Sequence, residues 1–205
     1  MITRYLCLTT LYLVACDRPP APAETQHNDQ LTINTPQATD TPEAREIPQV
    51  EPPKAVDSAE AKIAAAPGQT VKGALTFEQN AEGVHVTGQL SANPGPHGFH
   101  VHEKGNCSDI PGKSMGSHFA PDGHDHALPA EGSDRHLGDL GNVVMDANST
   151  AQVDFVIVGA NLKQGDAHSL LGKAVVLHAG ADSGKAHQPA GDSGVPIACG
   201  VIEAS

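Results

Sequence analysis

Short runs of alternating apolar and polar residues fill the C-terminal two thirds of the chain and limit what it can fold into. Alternation with a period of two turns every second side chain to the same face, as in a half-buried β-strand. The runs cover residues 71–77, 84–90, 98–102, 142–145, 151–158, 174–178 and 198–202. Turn-forming residues separate them, and no stretch of a dozen residues after residue 67 keeps a helical period. The sequence therefore predicts an all-β antiparallel sandwich or barrel over residues 68–205.

Two connections between these runs are too long for hairpins. They cover residues 103–141, which carry several histidines, and residues 179–197, which are rich in Gly and Asp. Long loops without their own secondary structure in a small β domain are usually functional or disordered. We expect both to be functional loops, ordered by something other than an apolar core.

The first sixteen residues have the features of a bacterial lipoprotein signal. Arg4 precedes an apolar run of about eleven residues, which is too short for a bilayer span of about 20 residues but suits a signal peptide. The segment Leu13-Val14-Ala15-Cys16 resembles a lipobox, in which the cysteine thiol is acylated. Residues 1–15 are thus expected to be removed, leaving lipidated Cys16 on a membrane of the periplasm or cell envelope. An ordinary signal peptide is the alternative.

Residues 16–67 are predicted to form a disordered tether. Nine of the 16 prolines lie between residues 17 and 67, among Thr, Gln, Glu and Ala. This composition cannot bury enough apolar area to offset chain entropy. A short helix around residues 55–66 is an alternative there. The whole chain has a net charge of −12 and no Trp, which argues against a nucleic-acid partner.

Histidine is the unusual component, with 12 in 205 residues. His100 and His102 are two apart in a predicted strand, so their imidazoles share a face and could converge on one ion. His178 ends another predicted strand. His136 and Asp139 are three apart in a Gly-containing turn and could bind one ion jointly. Three imidazoles with a carboxylate suit structural zinc, whereas nitrogen-rich ligation with an open position suits redox-active copper.

Five fragments of the chain resemble the copper/zinc superoxide dismutase family. GFHVHE, GSHF, RHLGDLGNV, GKAVVLH and ACGVI occur in the family's order, within about residues 70–203. The resemblance implies a Greek-key, immunoglobulin-like sandwich. It also implies dismutation of superoxide to dioxygen and hydrogen peroxide by a Cu(II)/Cu(I) cycle, with a bridging histidine positioned by zinc. One copper and one zinc per chain are the implied cofactors, and superoxide is the implied substrate. The motifs leave the oligomeric state open between a monomer and a homodimer.

The resemblance also implies two ligand sets, and the residues of the copper set are the expected catalytic residues. Those of copper are His100, His102, His118 and His178; those of zinc are His118, His126, His136 and Asp139. His118 would therefore bridge the two ions. His126 is preferred over His124 because the family places its second zinc histidine eight or nine residues after the bridge. Asp182 would link a copper histidine to a zinc histidine, and Cys107 would form a disulfide with Cys199.

One position departs from the family pattern. Pro196 stands three residues before Cys199, where the family usually has an Arg that attracts the anion. Residues 68–205 carry 7 basic and 15 acidic residues, a net charge of −8 that repels superoxide. Lys185 is the expected replacement, with Lys104 and Lys113 as alternatives. The competing hypothesis is a copper- and zinc-binding envelope protein with weak or no dismutase activity.

Overall fold

The regular structure of the described part of the chain consists of nine β-strands and one short 3-10 turn. The computed structural model describes residues 54–186 and 191–205. The strands are β1 (Ser58–Ala65), β2 (Lys72–Gln79), β3 (Gly83–Ser91), β4 (Gly95–His102), β5 (Asp139–Met145), β6 (Thr150–Val158), β7 (Ala174–His178), β8 (Pro196–Val201) and β9 (Glu203–Ala204); the 3-10 turn is Pro129–Glu131. All seven predicted runs fall on strands, and the predicted all-β antiparallel fold is confirmed.

The strands form two sheets that share β1. Along the hydrogen-bonded path the order is β5-β4-β7-β8-β1-β2-β3-β6, with β9 added beside β1. Residues 58–63 of β1 pair with β2, whereas Ala64 and Ala65 pair with β8 of the other sheet. After β4 and β5 have paired with each other, β6 returns to lie beside β3. That return is a Greek-key connection, as the resemblance implies.

The apolar core lies between the two sheets and fixes the positions of β4 and β7. Phe77 and Phe99 are fully buried, and Phe99 meets Phe155 edge-on with ring centroids 6.5 Å apart. Every residue of β7 is buried, as are the last six of β4. The faces of β4 and β7 that point away from the core are therefore covered as well, and the two long loops cover them.

Strand β1 corrects the predicted boundary of the tether. Residues 58–65 pair with β2 and β8, so a tether that extends to residue 67 and a helix over residues 55–66 are both wrong here. Ala59 and Ala61 point into the core with at most 1 % exposure. Alanine is small and favours helices, so it hides a period of two that larger side chains would reveal. The predicted signal peptide, Cys16 and tether residues up to 53 lie outside the described residues.

Covalent and apolar contacts order the first long loop, residues 103–138. Cys107 in this loop forms a disulfide with Cys199 of β8, whose Cα lies 5.7 Å away, so the implied pairing is confirmed. Met115 is 1 % exposed and packs with Ala174 and Val176 in a small second core. The loop is thereby attached to the outer face of the β4–β7–β8 sheet. Among the described residues, no helix is long and apolar enough to cross a membrane.

Candidate metal centre

Four histidines converge on the outer face of β4. His100 and His102 come from β4 and His178 from the end of neighbouring β7. The first loop returns to β4 at a bridge between His102 and His118, which brings in the fourth imidazole. The ring of His100 lies with its centroid 4.0 Å from that of His118 and 4.8 Å from that of His178. One ring nitrogen from each of the four lies within 4.8 Å of the others, so the structure brings the whole predicted set together.

Hydrogen bonding leaves one bare nitrogen on each of these rings. Nδ1 of His102 donates to the Gly116 carbonyl at 2.9 Å, and Nδ1 of His178 donates to the Gly194 carbonyl at 2.9 Å. Since a carbonyl only accepts, both rings keep a lone pair on Nε2. On these four rings, the described part of the chain offers no hydrogen-bond partner to the buried atoms His102 Nε2, His178 Nε2, His118 Nε2 and His100 Nδ1. Four buried lone pairs without donors fit a copper ion, which imidazole ligands suit.

Burial keeps three of these rings neutral and ready to bind a metal. It lowers the pKa of His100 and of His102 to about 3, and that of His178 to about 4. A charged imidazole would have to lose its hydration here, so the neutral form is favoured. Because a histidine ligand must be deprotonated, these rings bind metal near neutral pH with little competition from protons.

A second cluster surrounds a single oxygen of Asp139. Its Oδ1 lies 2.8 Å from Nδ1 of His118, 3.0 Å from Nδ1 of His126 and 3.2 Å from Nδ1 of His136. Tetrahedral zinc with bonds of about 2.0–2.1 Å would separate its ligand atoms by about 3.3 Å. Three ring nitrogens around one carboxylate oxygen at these distances therefore fit a tetrahedral zinc ion.

The carboxylate of Asp139 is held ionised within this cluster. Its side chain is fully buried, and burial alone raises the pKa of a carboxyl group. The close contacts with the imidazoles of His118, His126 and His136 outweigh burial and hold the pKa of Asp139 well below its usual range. The cluster thus offers a negative ligand as well as three imidazoles, the donor set of a closed zinc site.

His118 belongs to both clusters. Its Nδ1 faces Asp139, while its Nε2 is among the bare nitrogens that face the other three rings. Spacing left His124 as an alternative to His126 in the zinc set, and geometry separates them. His126 is 3 % exposed and lies in the cluster, whereas His124 is exposed and lines a surface cleft with Asp122.

Asp182 links the two clusters, as the resemblance implies. Its Oδ2 accepts from Nε2 of His100 at 2.8 Å, and its Oδ1 accepts from Nε2 of His126 at 2.9 Å. Burial raises the pKa of Asp182, but the two histidine hydrogen bonds outweigh it and hold this pKa below its usual range. Burial likewise lowers the pKa of His126, while its contacts with Asp139 and Asp182 raise it to about 9. The two hydrogen bonds that Asp182 accepts therefore orient one ring in each of the two clusters.

Two residues that support Asp182 were missed by sequence reasoning. Asn142 of β5 accepts from the Asp182 N–H at 2.7 Å and donates to its carbonyl at 2.9 Å. Gly191 adopts φ +54°, and a Cβ there would collide with Asp182 Oδ1 and His126 Nε2. Asn142 lies inside the quoted fragment RHLGDLGNV, and this position in a motif was the one indication in the sequence that it has a role at the site. Nothing in the local sequence distinguishes Gly191 from other loop glycines.

A cleft of about 320 Å³ opens onto the first cluster. Its walls include His102, His118 and His178 together with Pro196 and Lys113. The position that departs from the family pattern therefore lies in the same cleft as three of the four histidines.

The other two lysines considered as replacements for the Arg lie elsewhere. Lys185 is 67 % exposed and pairs with Asp192 at 3.2 Å. Lys104 lines a different cleft, beside Phe119 and Lys173. His187, which belongs to the second long loop, lies outside the described residues.

Comparisons with known proteins give one consistent result. The family model described as "Copper/zinc superoxide dismutase (SODC)" matches residues 71–202. The chain is 42 % identical over 139 residues to "Superoxide dismutase [Cu-Zn] 2" of Brassica juncea, covering 64 % of this chain and 89 % of that relative. It is 39 % identical over 139 residues to the protein of the same name from Mesembryanthemum crystallinum, covering 64 % and 86 %. A crystal structure of the clock protein EA4 is similar at 40 % identity and a TM-score of 0.66, covering 74 % of this chain and 97 % of that one.

Proposed function

Since this chain belongs to the copper/zinc superoxide dismutase family, we propose that it removes superoxide in a bacterial cell envelope, where a lipid on Cys16 holds it to a membrane. It is an enzyme of the copper/zinc superoxide dismutase type, and copper and zinc are its cofactors. We assign copper to His100, His102, His118 and His178, and zinc to His118, His126, His136 and Asp139. The envelope location is supported by the lipobox-like segment and by the disulfide, since disulfides persist in oxidising compartments.

The shared imidazole is the observation that carries the assignment. His118 has one nitrogen at 2.8 Å from the Asp139 carboxylate and the other bare among three neutral imidazoles. A cluster that contains a carboxylate suits an ion of fixed valence, and an all-nitrogen cluster beside an open cleft suits a redox ion with access for a small molecule. Two adjacent sites of different chemistry that share a ligand fit one copper and one zinc.

The overall reaction converts two superoxide anions and two protons into one dioxygen and one hydrogen peroxide. When bound, copper supplies the one-electron oxidation of the first anion and the one-electron reduction of the second. Nδ1 of His118 faces Asp139, so Nε2 is the ring nitrogen that can hold a proton on the side of the cleft. His118 thereby acts as a general acid that gives this proton to the reduced anion, while water supplies the second proton.

Superoxide decay measured with the metal-loaded full chain tests the enzymatic part of this proposal. We expect catalysed decay that depends on both metals, about one copper and one zinc per chain, and loss of catalysis after chelation. The competing metal-binding role, which Pro196 favours, predicts tight uptake of both metals with decay no faster than in buffer. If the missing Arg alone explains such a lack of catalysis, Pro196→Arg, measured alongside, should restore it.

Membrane anchoring is tested with Cys16→Ala in a bacterial host. We expect the native chain to incorporate a labelled fatty acid and to sediment with membranes. The variant should incorporate no label and leave the membrane fraction, because the acylated thiol is absent. Cys7→Ala is the matched control, since Cys7 lies inside the predicted signal peptide and should not affect labelling. Incorporation of the labelled fatty acid by Cys16→Ala at the native level would contradict the lipid anchor.

A further inference from the structure

Among the described residues that line the cleft above the four-histidine cluster, one is a lysine and none is an arginine. That residue is Lys113, in the first long loop, and Pro196 lines the same cleft from the start of β8. The family pattern has its positive charge at the Pro196 position. In this chain the cation at the cleft is instead on the first long loop, at Lys113.

The backbone beneath Lys113 is held in place. Its carbonyl accepts from the Gly116 N–H at 3.0 Å, and the next residue, Ser114, donates to the Asn106 carbonyl at 2.9 Å. Met115 anchors the segment in the small second core beside the disulfide. The base of the side chain is fixed by these contacts, while the side chain itself is exposed at the cleft. Since Lys113 lines the cleft, its fixed base places the ammonium group within reach of the cleft opening.

The charge of Lys113 is available, whereas that of Lys185 is partly neutralised. Among the described residues, no carboxylate lies within ion-pair distance of the Lys113 ammonium, while Lys185 pairs with Asp192 at 3.2 Å. The nearby acidic groups are Asp109, packed against Gly112, and Glu103, whose Oε2 accepts from the Ser117 N–H at 3.2 Å. Residues 68–205 have a net charge of −8, which repels an anion, so an unpaired cation at the cleft offsets part of this repulsion locally.

We propose that Lys113 is the residue that draws small anions into the copper cleft, in place of the Arg that Pro196 replaces. It is a positioning residue that acts through its charge and exchanges no proton or electron. The inference rests on the proposed dismutation for its natural substrate. The attraction itself applies to any small monovalent anion, so it can be measured without catalysis.

Azide binding to the copper- and zinc-loaded chain, followed by visible absorbance, tests this directly. For Lys113→Ala we expect the azide dissociation constant to rise about two- to fourfold at low salt, as for loss of one partly screened unit charge. The superoxide decay rate should fall by a similar factor and lose part of its salt dependence, with the difference fading at about 0.5 M salt. Lys113→Arg should keep native azide affinity and salt dependence. Lys104→Ala removes the same charge outside the cleft and should resemble the native chain.

Three results would overturn the proposal. One is an azide affinity of Lys113→Ala equal to that of Lys104→Ala. Another is that Lys185→Ala, rather than Lys113→Ala, reduces the salt dependence of the superoxide decay rate. The third is a loss of bound copper in Lys113→Ala, which would show a structural role. If the native chain does not catalyse dismutation, the azide measurement still tests Lys113, so failure of the proposed function is distinguishable from failure of this inference.

Discussion

His118→Ala is expected to lower the superoxide decay rate by about 10²–10⁴-fold, the contribution typical of general acid–base catalysis. The substitution removes Nε2, the ring nitrogen that can hold a proton at the cleft. It also removes one ligand from each cluster. We therefore expect weaker binding of both metals as well, visible as lower copper and zinc content after dialysis. Superoxide decay and metal analysis on the same samples measure both effects.

His124→Ala is the matched control for this experiment. It removes another imidazole from the same loop, but His124 is exposed and lies outside both clusters. We expect native metal content and native decay rates for this variant. A His118→Ala protein that retained copper, zinc and the native rate would disprove the bridging assignment. An equal loss in both variants would point to general damage of the loop.

Removing the disulfide should produce the largest change in stability. The bond joins residues 92 apart, Cys107 and Cys199. By the chain-entropy model, a closed loop of this length stabilises the folded state by about 4–5 kcal/mol. Cys107→Ser combined with Cys199→Ala is expected to lower the free energy of unfolding by that amount. Urea unfolding of the metal-loaded chain, with the same metal content in both proteins, measures the difference.

A reducing agent gives the matched control for the disulfide. It should destabilise the native chain by a similar amount and leave the double variant unchanged, because the variant has no bond to reduce. We also expect weaker metal binding in the variant, since the first loop supplies the Gly116 carbonyl that orients His102. A loss of stability below about 1 kcal/mol would show that the loop is ordered by its metal ligands and by Met115 rather than by the disulfide.

The sequence predicted most of the fold because seven strands show alternating apolar and polar residues directly in their sequence. It failed at β1, where buried alanines alternate with polar residues in a segment that also resembles a helix or linker. Local patterns could not have found β1 because its strand pairing depends on partners far along the chain, in β2 and β8.

The candidate site was predictable to the extent that short fragments carry its ligands. His100 and His102 share a face by strand geometry alone, and spacing favoured His126 over His124. The support around Asp182 could not be predicted in this way. Asn142 clamps residue 182 across 40 residues of sequence, and Gly191 is required only because two other side chains occupy the space of its Cβ. Such constraints arise from three-dimensional packing and leave no local pattern.

The double attachment of Asp182 has a thermodynamic consequence. One carboxylate orients a histidine of each cluster, and His118 is common to both. Occupancy of one metal position therefore alters the free energy of filling the other. By thermodynamic linkage, bound copper must change the affinity for zinc by the same factor by which bound zinc changes the affinity for copper. Binding of the two ions is then a coupled equilibrium. The order in which they are added changes the intermediate species but not the final occupancy of the two sites.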